Sequence, residues 1–362
     1  MSRILYGVSG EGSGHSSRAT EMTRHLLARG HEVKVVSYDR GYRNMSAEFE
    51  TIEIEGLHIV CDNNRVRPLR TLWHNLRRGG RALRRLKALR QQVRAFQPDC
   101  VITDFEPTTA WLAWWWRIPL ISLDNQHRMR YMKFRSPARL MMSRWITVLL
   151  IRLMVPSPNV ALATTYYYGE RKNDRIFLFP PILRREVLAC RPSTGTHHLV
   201  YVTGHFEHLL GLLKAFPERQ FVVYGCQRQG VDGNLSFRPF STDGFLRDLE
   251  SCQSVLATAG FTLISEAIYL GKPYLAMPMA GQFEQQLNAI CLEELGFGVN
   301  AHKADRAALS DFFERLPALQ TSVAVYAAEH RQPGQRDANV EIKRKLDKLL
   351  TEELLTQRAR AC

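Results

Sequence analysis

Several short polar segments, each placed where an apolar run ends, hold the residue types that could do chemistry in this chain. Gly10-Glu11-Gly12-Ser13-Gly14-His15 follows the apolar run Arg3–Ser9 and opens a helical pattern. Glycines there let backbone N–H groups approach an oxyanion, and the helix N-terminus favours negative charge. A dinucleotide fingerprint would need glycine where His15 stands, so the nicotinamide reading, with Asp39 as its ribose acid, is disfavoured. A tight strand-to-helix turn explains the glycines equally well. His15 at the helix start is either a base or substrate ligand, with Glu11 beside it, or a simple cap. Asp104 and Glu106, in Thr103-Asp104-Phe105-Glu106-Pro107, could supply a general base or cap the helix that follows. Asn125, in Leu123-Asp124-Asn125-Gln126-His127, adds polar groups suited to a hydroxyl-rich substrate.

The second half of the chain carries the sharper pattern. Ala259-Gly260-Phe261-Thr262 joins a strand to a helix, and Glu266 lies one turn into that helix. Gly260 would let a diphosphate approach the backbone, with the helix dipole behind it, and Glu266 would accept hydrogen bonds from ribose hydroxyls. Gly281-Gln282-Phe283-Glu284-Gln285-Gln286-Leu287-Asn288 then opens another helix with neutral amides, which donate to and accept from sugar hydroxyls without desolvating a full charge. Each segment alone is explained by capping; together they describe a nucleotide-sugar site.

The elements that must position these residues alternate. Strands are expected at Arg3–Ser9, Glu32–Ser37, Cys100–Thr103, Pro119–Leu123, Val160–Thr164 and Arg175–Phe179, with helices at Ser16–Arg29, stopped by Gly30, and Thr108–Trp116. The same grammar restarts at Leu199–Thr203 and continues through Gln220–Tyr224, Ser254–Thr258 and Pro273–Met277, with helices from Gly204 to Ala215, Thr262–Leu270 and Phe283–Leu295. Such alternation implies parallel sheets covered on both faces. The expectation is an α/β fold of two Rossmann-like, doubly wound domains facing across a cleft: an acceptor-binding domain at 1–185 and a nucleotide-sugar-binding domain at 196–334. A charged C-terminal helix over 335–362 would be placed to pack back on the first domain. Proline, basic residues and Gly195 interrupt the pattern from Pro180 to Thr196.

Composition narrows the class. With 362 residues, 45% hydrophobic and 23% charged, the chain is globular and too long for one ordinary core. Its longest apolar runs, Ile146–Val155 and Trp111–Trp116, fall well short of the roughly 18–20 residues of a membrane span. The chain enters a strand pattern at once, so no signal peptide is expected, and seven scattered cysteines point to reduced thiols in the cytoplasm. The net charge of +14 is one-sided: residues 1–200 hold 32 Lys/Arg against 16 Asp/Glu, whereas residues 201–362 hold 17 against 19. A one-sided excess suggests an anionic surface met by one domain. Residues 65–94 contain eleven Lys/Arg and no acid, with Leu69, Leu72, Trp73, Leu76, Leu83, Leu86, Leu89 and Val93 at three- and four-residue spacing, interrupted at Gly79-Gly80. A second acid-free run, Gln126–Gly169, sets seven basic residues among Met, Trp and Leu. These stretches are either solvated outer helices or an anionic-membrane patch with Trp73 and Trp145 at the interface. No recognised nucleic-acid motif accompanies them, so no nucleic acid partner is expected.

Gly260…Ser265-Glu266-Ala267…Gly271-Lys272-Pro273…Met277-Pro278…Gln285-Gln286-Leu287-Asn288-Ala289…Leu295-Gly296 resembles the donor half of the GT-B glycosyltransferases, and in particular the peptidoglycan N-acetylglucosaminyltransferases that make lipid II. Ser9–His15 and Ala28-Arg29-Gly30-His31-Glu32-Val33 are similar to that family too. The middle, residues 40–185, departs widely, and Glu11 is an addition to the family's glycine loop, so the acceptor does not carry over. The resemblance implies that Glu266 binds ribose and that Phe240 and Ser241 border the base. It places the diphosphate on Gly260, Phe261, Thr262 and Leu263, with Gly204 and His205 also facing phosphates, and the donor sugar on Gln285 and Gln286. His15 would stand near the reaction centre, with Gly12, Ser13, Gly14 and Asn125 on the acceptor side. It further implies an inverting transfer from a UDP-sugar, needing neither metal nor cofactor; the basic stretches, read as a membrane patch, suit a glycan or lipid-linked acceptor at the inner face of the membrane. The base would be His15, Glu11, Asp104 or Glu106, in that order. A nucleotide-sugar 2-epimerase of the same fold and a basic nucleic-acid-binding protein are the alternatives.

Overall fold

The computed structural model describes residues 1–56, 61–62, 65–66, 70, 73, 79–202, 207–226, 228–331 and 339–353. The chain divides into two compact units. One comprises Met1–Val60, Arg67–Arg184 and Asn339–Cys362; the other comprises Cys61–Val66 and Arg185–Ala338. The change at Arg184 falls inside the proline-marked interruption of the sequence pattern.

The strands of the first half are β1 (Arg3–Val8), β2 (Glu32–Ser37), β3 (Thr51–Glu53), the two-residue pair β4 (Cys61–Asp62) and β5 (Arg65–Val66), then β6 (Cys100–Asp104), β7 (Leu120–Asp124), β8 (Val160–Thr164) and β9 (Ile176–Phe179). All but β4 and β5 form a seven-stranded sheet in the order β3-β2-β1-β6-β7-β8-β9, parallel throughout. Strands this apolar are buried on both faces, and β6 and β7 expose no residue. The chain leaves β1 in one direction to β2 and β3, then returns to β6 on the other side. The sheet therefore reverses its winding between β1 and β6, where Val8 pairs with Asp104.

One face of this sheet carries a core of Ile4, Tyr6, Val8, Ile102, Ile121, Leu123 and Leu162, closed by helix Gly14–Ala28 through Ala19, Met22 and Leu26. The C-terminal segment joins it. Helix Val340–Lys348 and the π-helical turn Leu349–Glu353 place Ile342, Leu346, Leu349 and Leu350 in the same cluster. Asn339 fastens the segment: its Oδ1 accepts from Leu183 N–H at 3.0 Å and its Nδ2 donates to Leu183 O at 2.9 Å. The described helix begins at Val340; 335–338 and 354–362, where the charged helix was also expected, lie outside the described residues. Gly79 and Gly80, expected as an interruption, belong to helix Gly79–Phe96; residues 74–78 before them lie outside the described residues.

The second unit repeats the plan with β10 (His197–Tyr201), β11 (Gln220–Tyr224), β12 (Gly230–Asp232), β13 (Leu235–Phe237), β14 (Val255–Thr258), β15 (Tyr274–Met277) and β16 (Gly298–Asn300). The order is β12-β13-β11-β10-β14-β15-β16, with only β12 antiparallel. Its winding reverses between β10 and β14. In open α/β sheets, ligands bind beyond the strand carboxyl ends at such reversals.

Candidate active site

In the first unit the reversal point is occupied by three charged or polar side chains. His15 and Arg18 are three apart on helix Gly14–Ala28, hence on one face, and Asp104 ends β6. His15 Nδ1 lies 2.7 Å from Asp104 Oδ1. Arg18 grips the same carboxylate with both ends of its fork, Nη2 at 2.6 Å from Oδ1 and Nε at 2.8 Å from Oδ2. Its Nη1 donates to Asn125 Oδ1 at 3.3 Å. Burial disfavours the Arg18 charge, but the charge and hydrogen bonds of Asp104 more than offset that and raise its pKa above the ordinary value. Arg18 Nη2 also stands 3.2 Å from His15 Nδ1. Nε2 of the ring has no hydrogen-bond partner among the described residues. The His15 side chain is 14% exposed and Asp104 is fully buried.

This geometry divides the four candidate bases. Asp104 is closed off from solvent and orients His15. Glu106 caps helix Pro107–Trp116: it accepts from Thr108 N–H and Thr109 N–H, each at 2.7 Å, and from Thr109 Oγ1 at 2.6 Å. Burial raises the Glu106 pKa, against the pull of these donors. The fully buried carboxylate thus serves as the cap of helix Pro107–Trp116. Gly7 makes room for it, since a Cβ there would come within 1.9 Å of Thr109 Oγ1. Glu11 is exposed, its N–H 3.4 Å from Ser9 Oγ. Gly12, Ser13 and Gly14 form the turn that delivers His15, with Gly12 at φ +76°.

A second buried pair stands at the end of β7. Asp124 Oδ2 lies 2.7 Å from His127 Nδ1 and accepts from Ser122 Oγ at 2.8 Å, and Asp124 Oδ1 accepts from His127 N–H at 2.8 Å. Burial alone would raise the Asp124 pKa, but the His127 charge and these hydrogen bonds bring it down to about 2.

In the second unit, Gly260 caps helix Phe261–Tyr269 immediately after β14. Its φ of −71° suits any residue, and a Cβ would meet no atom within 4 Å. Among the described residues nothing requires glycine there, and Gly260 stands at the helix N-terminus. Asn288 Nδ2 braces the loop by donating to Ala259 O at 2.8 Å. Thr262 and Leu263 are half-buried on the first turn, Phe261 is buried, and Glu266 follows one turn on, 3% exposed. Gln285 and Gln286 hold the preceding loop: Oε1 of Gln285 accepts from Met279 N–H at 3.0 Å, and Gln286 Nε2 donates to Met279 O at 3.4 Å. Ser241 caps helix Thr242–Ser251, accepting from Gly244 N–H at 3.3 Å, and Phe240 beside it is 63% exposed. Gly204 and His205 lie outside the described residues.

The sequence reading thus placed residues at both reversal points but missed Arg18, Asp124 and His127 as partners. Arg18 was detectable as a charge inside the apolar stripe of its helix, next to Ala19 and Met22. Of the basic stretch, Arg85 is committed within the unit, donating to Ile54 O and pairing with Glu53 at 3.0 Å. Arg77 and Arg78 lie outside the described residues.

Two doubly wound sheets of this order define the GT-B class, and solved structures agree. The chain is similar to the glycotransferase of kitacinnamycin, with a TM-score of 0.68 at 16% identity over 96% of this chain and 98% of the other. It is similar also to CalG4, the calicheamicin glycosyltransferase, with a TM-score of 0.64 at 15% identity over 98% and 99%. The spinosyn rhamnosyltransferase SpnG, solved with thymidine diphosphate, gives 0.60 at 15% identity over 91% and 96%. Two uncharacterized glycosyltransferases, of Methanosarcina acetivorans and Methanosarcina mazei, are each 24% identical over 82% of this chain and 84% of their own length. The glycosyl transferase family 1 model matches residues 2–317, and the chain belongs to that family. It is a glycosyltransferase, and the epimerase alternative is not favoured.

Proposed function

We propose that the chain transfers a sugar from a nucleoside diphosphate donor, a UDP-sugar, to an acceptor hydroxyl, with inversion and with His15 as the general base. The observation that carries this reading is the His15–Asp104–Arg18 arrangement at the winding reversal. Asp104 fixes the ring so that Nε2 accepts the acceptor's proton. The acceptor oxygen then bonds to the anomeric carbon as the bond from that carbon to the diphosphate breaks, the electron pair leaving with the diphosphate. The second unit, taken by itself, offers a diphosphate the N-terminus of helix Phe261–Tyr269, with no side chain at Gly260, and offers the ribose Glu266. The donor motif's resemblance to the lipid II-forming family supports UDP and inversion, and a transferase of the same class was solved with thymidine diphosphate. The acceptor we infer is lipid-linked, reached by peripheral attachment to a membrane. Incubating the protein with a panel of UDP-, GDP- and TDP-sugars, with anomeric configuration read by NMR, tests the reading. Release of UDP that falls about 10²–10⁴-fold in His15→Ala, with UDP binding retained, is the expected result. Wild-type turnover in that variant would remove His15 from the chemistry.

A further inference from the structure

Helix Met141–Met154 turns its apolar face outward. Met142, Trp145, Ile146, Leu149, Leu150 and Leu153 recur at three- and four-residue spacing, and each is more than half exposed. Only Ile151 of the helix is buried, which inverts the usual arrangement of a surface helix. The stripe does not end there. Trp111 Nε1 donates to Leu153 O at 2.8 Å, joining helix Pro107–Trp116, on which Trp114 and Trp115 are 55% and 66% exposed. Soluble monomers rarely leave so continuous an apolar surface open.

Charge decides what covers it. Arg139, Arg144 and Arg152 accompany the stripe, and Arg90 and Arg94 lie over the rings of Trp115 and Trp116 at 5.3 and 5.5 Å. None of these five arginines pairs with an acid among the described residues, and residues 125–169 contain no acid at all. We propose that this two-helix face is a docking surface for an anionic lipid bilayer. Its leucines and methionines enter the acyl boundary, its tryptophans sit at headgroup level and its arginines meet lipid phosphates. Among the described residues no helix is long and apolar enough to cross a membrane, so the two helices lie in the interface plane.

The surface rests on the membrane half of the proposed function, and it differs from a patch on residues 65–94. Binding to vesicles needs neither donor nor acceptor, so its failure leaves the transfer reading standing. The full chain is sedimented with phosphatidylcholine vesicles and with vesicles containing phosphatidylglycerol, and tryptophan emission is followed with lipids brominated on the acyl chain. Binding to the anionic vesicles only, with blue-shifted and quenched emission, is expected. Leu149→Glu with Leu153→Glu should lower partitioning at least tenfold, and Arg144→Gln with Arg152→Gln should weaken it and flatten its salt dependence. Unchanged melting temperatures establish that both variants fold. Wild-type protein that ignores anionic vesicles, or variants that bind as wild type does, would overturn the proposal. So would a wild-type dimer that Leu149→Glu dissolves, since the occupant would then be a second copy.

Discussion

His15 Nδ1 lies 2.7 Å from Asp104 Oδ1, and Arg18 Nη2 reaches that same oxygen at 2.6 Å. One buried carboxylate oxygen thus serves a titratable ring and a permanent cation together. The shared carboxylate holds the His15 ring through Nδ1, so Nε2 is the nitrogen turned away from the buried pair.

Asp104→Asn tests this coupling. The variant leaves Arg18 buried without a counter-charge, which costs on the order of 3–5 kcal/mol, so the melting temperature should fall. Turnover should drop about 10²–10⁴-fold, as for loss of a general base. If Asp104 acts through His15, the double variant Asp104→Asn, His15→Ala turns over no more slowly than His15→Ala alone. Two independent, multiplying losses would separate the residues.

Gly260→Ala separates ligand from fold. The glycine has an ordinary φ and, among the described residues, open space where a Cβ would stand, so unfolding free energy should change by no more than about 1 kcal/mol. Nucleoside diphosphate affinity, measured by calorimetry, should fall at least tenfold, because the methyl group occupies the approach to the helix N-terminus. Glu266→Ala should cost roughly 1.5–3 kcal/mol of the same binding, the typical worth of hydrogen bonds to a charged group. Full affinity in both variants would move the donor elsewhere.

How far the sequence could foretell these relations depends on their range. Strands such as Leu120–Asp124 are continuous apolar runs between turns, so both sheets were legible. So were the segments at the reversal points, because glycine after a strand and before a helix marks a phosphate-compatible turn. Glu106 and Asp104 were not separable by sequence: two acids two apart after a strand look equivalent. Their fates differ because Phe105 between them takes φ +56°, after which Glu106 meets the free amides of Thr108 and Thr109. The edge hairpin of β12 and β13 and the short β16 carry three residues each, too few to show a period. The outward apolar face of helix Met141–Met154 was legible only as one of two readings, a solvated outer helix or a membrane patch with Trp145 at the interface. Its spacing is that of an ordinary core-facing stripe, and only packing tells which way the stripe points.

Glu106→Ala should act on stability rather than on the reaction. It strips two backbone amides and the Thr109 hydroxyl of their acceptor in a fully buried setting. Loss of an N-cap costs about 0.5–2 kcal/mol, and stranded buried donors add about 1–3 kcal/mol. Donor binding in the folded fraction should stay at the wild-type level. A stable variant with lost turnover would return Glu106 to the list of bases.

The Asp124–His127 pair predicts an acid limb of stability. Asp124 titrates at about 2 in the folded chain, below the roughly 3.9 of an unfolded aspartate. A depressed folded pKa gives stability that is fully present above the unfolded value and is lost as pH falls through the folded one. The window is therefore about pH 4 down to about pH 2, and the amount is on the order of 2 kcal/mol by linkage. Asp124→Asn should be less stable than wild type at neutral pH, where it forfeits that contribution. Its urea midpoint should fall less steeply than the wild-type midpoint across the window. His127 Nε2 has no hydrogen-bond partner among the described residues, so the ring is held through Nδ1 and the stack on Tyr131 at 5.8 Å. His127→Phe should keep that stack and remove the charge that holds the Asp124 pKa down, giving the same loss of acid sensitivity. Parallel acid limbs in wild type and both variants would show that the pair contributes nothing to stability below pH 4.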